Sequence, residues 1–222
     1  MKPLIIAIDG PSGAGKGTVA RGVAARLGYR HVDTGAMYRA VAWKALHEGI
    51  DIGDESAVAA LGERAAFDLE GGRAVIDGHD VVRLIRTPEI DKAAAAVARH
   101  PAVRAALVRR QREMGQDGGI VMEGRDIGTV VFPDADVKIF LTASPEERAR
   151  RRASDPAHAA SQQAVLAEIA TALAERDRSD STRAISPLAQ ASDALQIDTT
   201  TMPIDAVVEQ IFALVTKRNT SR

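Results

Sequence analysis

Residues 4–8 form a short unbroken apolar run, rich in isoleucine, that stops at Asp9 and Gly10. Such a run predicts a strand buried on both faces of a parallel sheet. Beyond a glycine-rich stretch the period changes. Val19, Val23 and Leu27 recur on one helical face with Ala20 and Ala24 between them, and Gly28 stands where a helix C-terminal glycine belongs. A second helix is predicted over 36–47, ending at Gly49. Residues 66–82 carry paired glycines and an Asp-Gly between short β-prone pieces, which predicts a small antiparallel ribbon inserted between helical segments. Helical pattern resumes over 88–116 with a break at Pro101. Buried strands are predicted at 119–122 and 137–141, the second leading into a helix with Ser144 as N-cap and Pro145 in its first position. The polar stretch 155–162 is predicted to be exposed and mobile, followed by a helix over 163–176, a last strand at 194–197 and an amphipathic helix over 204–215. Alternating strands and helices point to an α/β fold, helices packed around a mostly parallel sheet.

Composition narrows what this framework does. A chain of 222 residues is long enough for one domain with a full core. Its 29 Lys and Arg nearly balance its 30 Asp and Glu, which argues against the basic surface that broad nucleic-acid binding needs. Aromatic residues are too sparse, at 3%, for base-stacking platforms. The absence of cysteine excludes disulfides, thiolate zinc sites and a cysteine nucleophile. None of the histidines has a partner at metal-ligand spacing. The first residues lack a signal-peptide pattern and no run is long enough to span a bilayer, so a cytoplasmic protein acting away from membranes is expected.

The chemistry starts at Gly10-Pro11-Ser12-Gly13-Ala14-Gly15-Lys16-Gly17-Thr18. Glycines there let successive backbone N–H groups turn inward onto phosphate oxygens, and the helix that follows adds its positive end. Lys16 is expected to reach the β and γ phosphates of a bound nucleotide as a point charge. Gly17 stands where the hydroxyl that usually touches magnesium is found, and the hydroxyl comes one position later, at Thr18. Thr18 is therefore expected to meet a phosphate, with magnesium held largely through water and no direct protein ligand. A phosphate loop alone fits ATPases, GTP switches and kinases for many acceptors, AMP, UMP and shikimate among them. The guanine-reading Asn-Lys-x-Asp motif is absent.

Downstream, DTGAMYR, MEGRDIGTVVFPDADVKIFLTAS and RDRSDSTRAISPL follow GPSGAGKGT in order. Together these blocks resemble bacterial cytidylate kinase, over nearly the whole chain. The resemblance implies a P-loop nucleoside monophosphate kinase fold with a nucleotide-binding insertion at about 61–99, a core of 1–60 and 100–222, and a lid at about 153–163. It implies transfer of a phosphoryl group from ATP, with Mg2+, to CMP or dCMP, by a monomer. By matching position, Thr34 and Arg39 are expected beside the acceptor phosphate, together with Arg125, Arg176 and Arg183. Arg104 and Asp126 are expected at cytosine, and Asp180 at the ribose. Arg151 or Arg152, from the arginine run that opens at Arg148, is expected to cover ATP when the lid closes; a plain charged face is the alternative for that run. Lys16, Arg125, Arg176 and Arg183 form the expected catalytic set.

Physical chemistry fits those roles. A carboxylate with a guanidinium complements the donor and acceptors on the cytosine edge, whereas uracil would set a carbonyl against the carboxylate. A phosphate acceptor is already ionised near neutral pH, so transfer needs charge neutralisation and not a general base. Ala95 stands where the family often has a serine bonded to cytosine, which predicts weaker discrimination against UMP.

Overall fold

The fold is described here by a computed structural model that covers residues 3–155 and 165–220. β1 (Ile5–Asp9) is the middle strand of a five-stranded parallel sheet. Its neighbours are β6 (Ile120–Gly124) and β7 (Val137–Thr142), flanked by β2 (Arg30–Asp33) and β8 (Leu195–Asp198) at the edges. Ile6 lies opposite Val121 on one side and Val137 on the other. Leu4, Ile6, Ala7 and Ile8 are all fully buried, the outcome expected of an apolar run between two parallel partners.

Side-chain alternation along β1 divides the core. Ile6 and Ile8 pack with Val19 and Val23 of α1 (Lys16–Leu27) and with Val207 and Ile211 of α8 (Ile204–Thr220). Ala7 points to the opposite face, against Val32, Met122, Ile127 and Val131. A third apolar cluster lies apart from the sheet. It joins Met37 and Val41 of α2 (Thr34–His47), Leu61 of α3 (Glu55–Arg64), Ile90 of α4 (Pro88–Val97) and Leu107 of α5 (Pro101–Gly115). Ile76, in the same cluster, belongs to an antiparallel sheet of β3 (Phe67–Asp68), β4 (Val75–Ile76) and β5 (His79–Asp80).

The predicted ribbon is thus a three-stranded sheet, and Pro101 opens α5 after its break from α4. β2 had no sequence signal: Arg30-His31-Val32-Asp33 is an edge strand paired with β6, with a single antiparallel bridge from Val32 to Glu70. α6 (Pro145–Ala153) starts at its Ser144 cap as expected. α7 (Leu166–Thr182) runs past the predicted end at 176. Its last turns lack apolar periodicity because their polar side chains bond across the molecule, Asp177 to Arg148 and Asp180 to Arg125. Residues 156–163 of the expected lid lie outside the described residues. Among the described residues no helix is long and apolar enough to cross a membrane.

The end of β7 packs closely on the start of the glycine loop. Gly10 adopts φ 147°, and a Cβ added there would lie 2.1 Å from the Leu141 carbonyl oxygen. Gly10→Ala is expected to lower stability by about 3 kcal/mol or more in urea unfolding, because backbone must move. Gly28→Ala, at φ 67° with no atom within 4 Å of the added methyl, should lose only about 1 kcal/mol.

Candidate active site

At the carboxyl ends of β1 and β6 the sheet opens into a cavity of about 740 Å³. This is the crevice where strand connections diverge to opposite sides of the sheet. One wall is the loop from Ser12 to Thr18. Gly15 turns the chain into α1, whose N-terminus has no side-chain cap. Its first-turn amides are therefore offered to the cavity, with the positive end of the helix behind them. Lys16 is buried and its Nζ donates to the Pro11 carbonyl at 2.8 Å. Burial, with Arg125 close by, lowers its ammonium to about 7. The nearby carboxylates of Glu123, Asp9 and Asp33 only partly offset this.

The opposite wall is built from guanidinium groups, each met by a carboxylate. Arg39 donates to Asp33 at 3.1 Å, and Asp33 also caps α2 through the Ala36 amide. Burial alone would raise Asp33, but Arg39 and that amide hold its carboxyl below the usual range. Arg125 Nε donates to Asp180 at 2.9 Å. The same pairing outweighs burial at Asp180 and holds it low. Arg104 and Asp126 form a buried, directly bonded pair, and an Arg183 nitrogen lies 3.8 Å from Asp126. The Tyr38 ring lies under the Arg104 guanidinium, 5.5 Å from it. Arg104 Nε and Arg39 Nε are buried with no hydrogen-bond partner, unmet donors of the kind a bound ligand satisfies. Thr34 Oγ1 donates to the Glu123 carbonyl at 2.7 Å.

Structure brings most of the sequence-predicted residues together. Ser12 to Thr18, Thr34, Arg39, Arg104, Arg125, Asp126, Arg151, Arg152, Arg176, Asp180 and Arg183 all line the cavity. Gly10 and Pro11 lie behind the loop, outside its lining. The arginine run divides by helical phase. Arg148 is buried and donates to the Ser12 carbonyl at 3.1 Å, so it braces the loop. Arg151 bonds Thr199, and Arg152 reaches across to Asp91. Arg150 pairs with Glu147 on the exposed side.

Sequence reasoning missed several residues here. Glu123 is buried at the end of β6 and accepts His31 Nε2 at 3.2 Å. A Cβ at Gly17 would meet its carboxylate at 3.0 Å, so an acid stands beside the position where the loop lacks a hydroxyl. Its place at the carboxyl end of a predicted strand was the available signal. Asp9 accepts the Ile127 and Gly128 amides at 2.8 and 2.7 Å. This pins the π-helical turn Ile127–Val131 that follows Asp126, and burial pushes Asp9 up to about 6. Asp91 carried no signal in the sequence, and Asp177 lay inside a quoted block without a role of its own, because the partners of both are distant in the chain.

Comparison with known proteins places the chain in a family. The family model described as cytidylate kinase matches residues 6–217. A cytidylate kinase from Pelotomaculum thermopropionicum is 52% identical, over 95% of each chain. Another from Solibacter usitatus is 49% identical, covering 99% of this chain and 95% of its own. Among solved structures, shikimate kinase from Bacteroides thetaiotaomicron overlays with a TM-score of 0.50 at 11% identity, covering 96% of this chain and 98% of that one; the likeness is one of fold.

The Lys16 ammonium should titrate near pH 7 in the empty protein, read from its ε-carbon by NMR. An inorganic polyphosphate filling the loop should raise that midpoint by about one unit or more. A midpoint that stays put would mean the anion sits elsewhere.

Proposed function

The chain belongs to the cytidylate kinase family, and we propose that it carries the γ-phosphoryl group of ATP to CMP or dCMP by positioning and charge neutralisation, with no general base. The observation that supports this most is the cavity itself. An anion-seeking loop with Lys16 faces a wall of arginines, and beside them the buried Arg104–Asp126 pair offers one acceptor and one donor surface.

In this reading ATP lies with its phosphates on the Ser12–Thr18 amides, and Lys16 meets the β and γ oxygens. The acceptor phosphate sits by Thr34 and Arg39. Its oxygen attacks the γ phosphorus, the bond from that phosphorus to the β-bridging oxygen breaks, and ADP leaves. Arg125, Arg176 and Arg183 hold the charge of the moving group, and their planar forks keep their charge even when buried. Asp126 accepts from the cytosine amine while Arg104 donates to its ring acceptors. Asp180, already fixed by Arg125, takes the ribose hydroxyl. The insertion at about 61–99 presents α4 to the acceptor, including Ala95 on the cavity wall.

Magnesium fits this donor set. The Glu123 carboxylate beside Gly17 and the Thr18 hydroxyl are hard oxygen groups next to the phosphate loop. Among the described residues no group of three or more His, Cys, Asp or Glu could hold a metal. Phosphates and water would supply the ligands, with Glu123 and Thr18 placed to hold that water and a phosphate beside it. The ion would neutralise charge on the β and γ phosphates.

A coupled ADP-release assay over CMP, dCMP, UMP, AMP and shikimate should find the cytidylates preferred; preference for another acceptor would overturn the reading. Arg125→Ala should lower kcat by roughly 10²- to 10³-fold, and full activity would remove it from the transfer site. Ala95→Ser should raise the CMP-over-UMP ratio of kcat/KM by about tenfold. An unchanged ratio would place Ala95 away from the base.

A further inference from the structure

Among the carboxylates that meet the cavity arginines, Asp91 joins two arginines from different helices. It lies in the first turn of α4, where its amide bonds the Thr87 carbonyl. One carboxylate oxygen bonds Arg152 at the end of α6, and the other bonds Arg176 on α7 at 3.2 Å. All three side chains are mostly buried. Arg39 sits close enough to oppose the charge of both arginines, and Arg125 also opposes Arg176. Several guanidiniums thus converge on one place, and the anion found there is a side chain from the insertion.

We propose that Asp91 is a positioning residue that stands in for a bound phosphate on Arg152 and Arg176 in the empty enzyme, until a phosphate displaces the carboxylate from them. Geometry and charge both favour this. A carboxylate presents two oxygens to two guanidinium forks much as a phosphate does. Without a counter-anion the clustered arginines repel one another, a cost that a bound phosphate relieves. When the dianionic acceptor arrives, it offers more charge and more oxygens than Asp91, and like-charge repulsion pushes the carboxylate out. The pairing also joins α4 to α6 and α7, so release of Asp91 is the step that uncouples the insertion from the two helices flanking residues 156–164.

Such a surrogate competes with the ligand, so removing its charge should tighten anion binding. The proposal rests on reading this cavity as a phosphate seat, and its test separates the two. In Asp91→Asn, calorimetric titration with CMP should show a Kd lowered by about fivefold, the factor by which the seat was pre-occupied. KM for CMP should fall in parallel with no rise in kcat. The Tm of the variant should drop in phosphate-free buffer and return toward the wild-type value in saturating inorganic phosphate. Asp91→Glu should keep the wild-type affinity, and Asp91→Ser should repeat the behaviour of Asp91→Asn. Unchanged or weaker CMP binding in both neutral variants overturns the proposal, as does a Tm loss that phosphate does not repair. If the wild type turns over CMP while the neutral variants bind it no tighter, the surrogate role alone fails. Wild type that neither binds nor turns over CMP removes the phosphate seat and the proposal together.

Discussion

Packing many guanidinium groups into one partly dry cavity is the constraint around which this protein is built. Two like charges about 5 Å apart repel by roughly 3 kcal/mol at the dielectric typical of such sites. Arg39, Arg104, Arg125, Arg152, Arg176 and Arg183 all share a single cavity. The structure answers with interleaved acids: Asp33 for Arg39, Asp126 for Arg104 and Arg183, Asp180 for Arg125, and Asp91 for Arg152 and Arg176. These pairs hold the arginines in place with their charge intact, and several unmet N–H groups remain for a ligand. Burying an ion without a partner costs several kcal/mol, so the acids belong to the scaffold as much as to the site.

The parallel sheet makes that arrangement possible. With β1 in the middle, the loop that follows it and the Glu123-Gly124-Arg125-Asp126 segment that ends β6 emerge side by side. Asp9 couples them, since its carboxylate takes two amides from the turn beyond Asp126. Arg148 and Asp177 couple the loop to α6 and α7: Arg148 donates to the Ser12 carbonyl and Asp177 accepts the Ser12 amide. Glycine loop, arginine wall and flanking helices are therefore one bonded network. A change at any one of them alters the aim of the others.

Which parts were legible depended on whether the signal was local. The apolar run at 4–8, the helix of Val19 and Val23, and the Ser144–Pro145 cap each declare themselves within a few residues, and each formed as expected. β2 did not, because an edge strand with polar alternate positions carries no apolar run. The last turns of α7 did not either, because Asp177 and Asp180 spend their side chains on partners dozens of residues away. Glu123 lay inside a recognised block yet gained meaning only from Gly17, whose missing side chain leaves room for its carboxylate.

By itself the sequence determined the α/β alternation, the phosphate loop with its lysine, and the set of arginines with their order along the chain. Those follow from periodicity, glycine placement and motif spacing, which are properties of neighbouring residues. Only the tertiary structure decided which acid faces which arginine. Arg148 became a brace for the loop, Arg150 a surface charge and Arg152 a partner of Asp91, although they stand within one short run. Helical phase sends adjacent residues to different sides, and what waits on each side is set by distant segments that folding brings there.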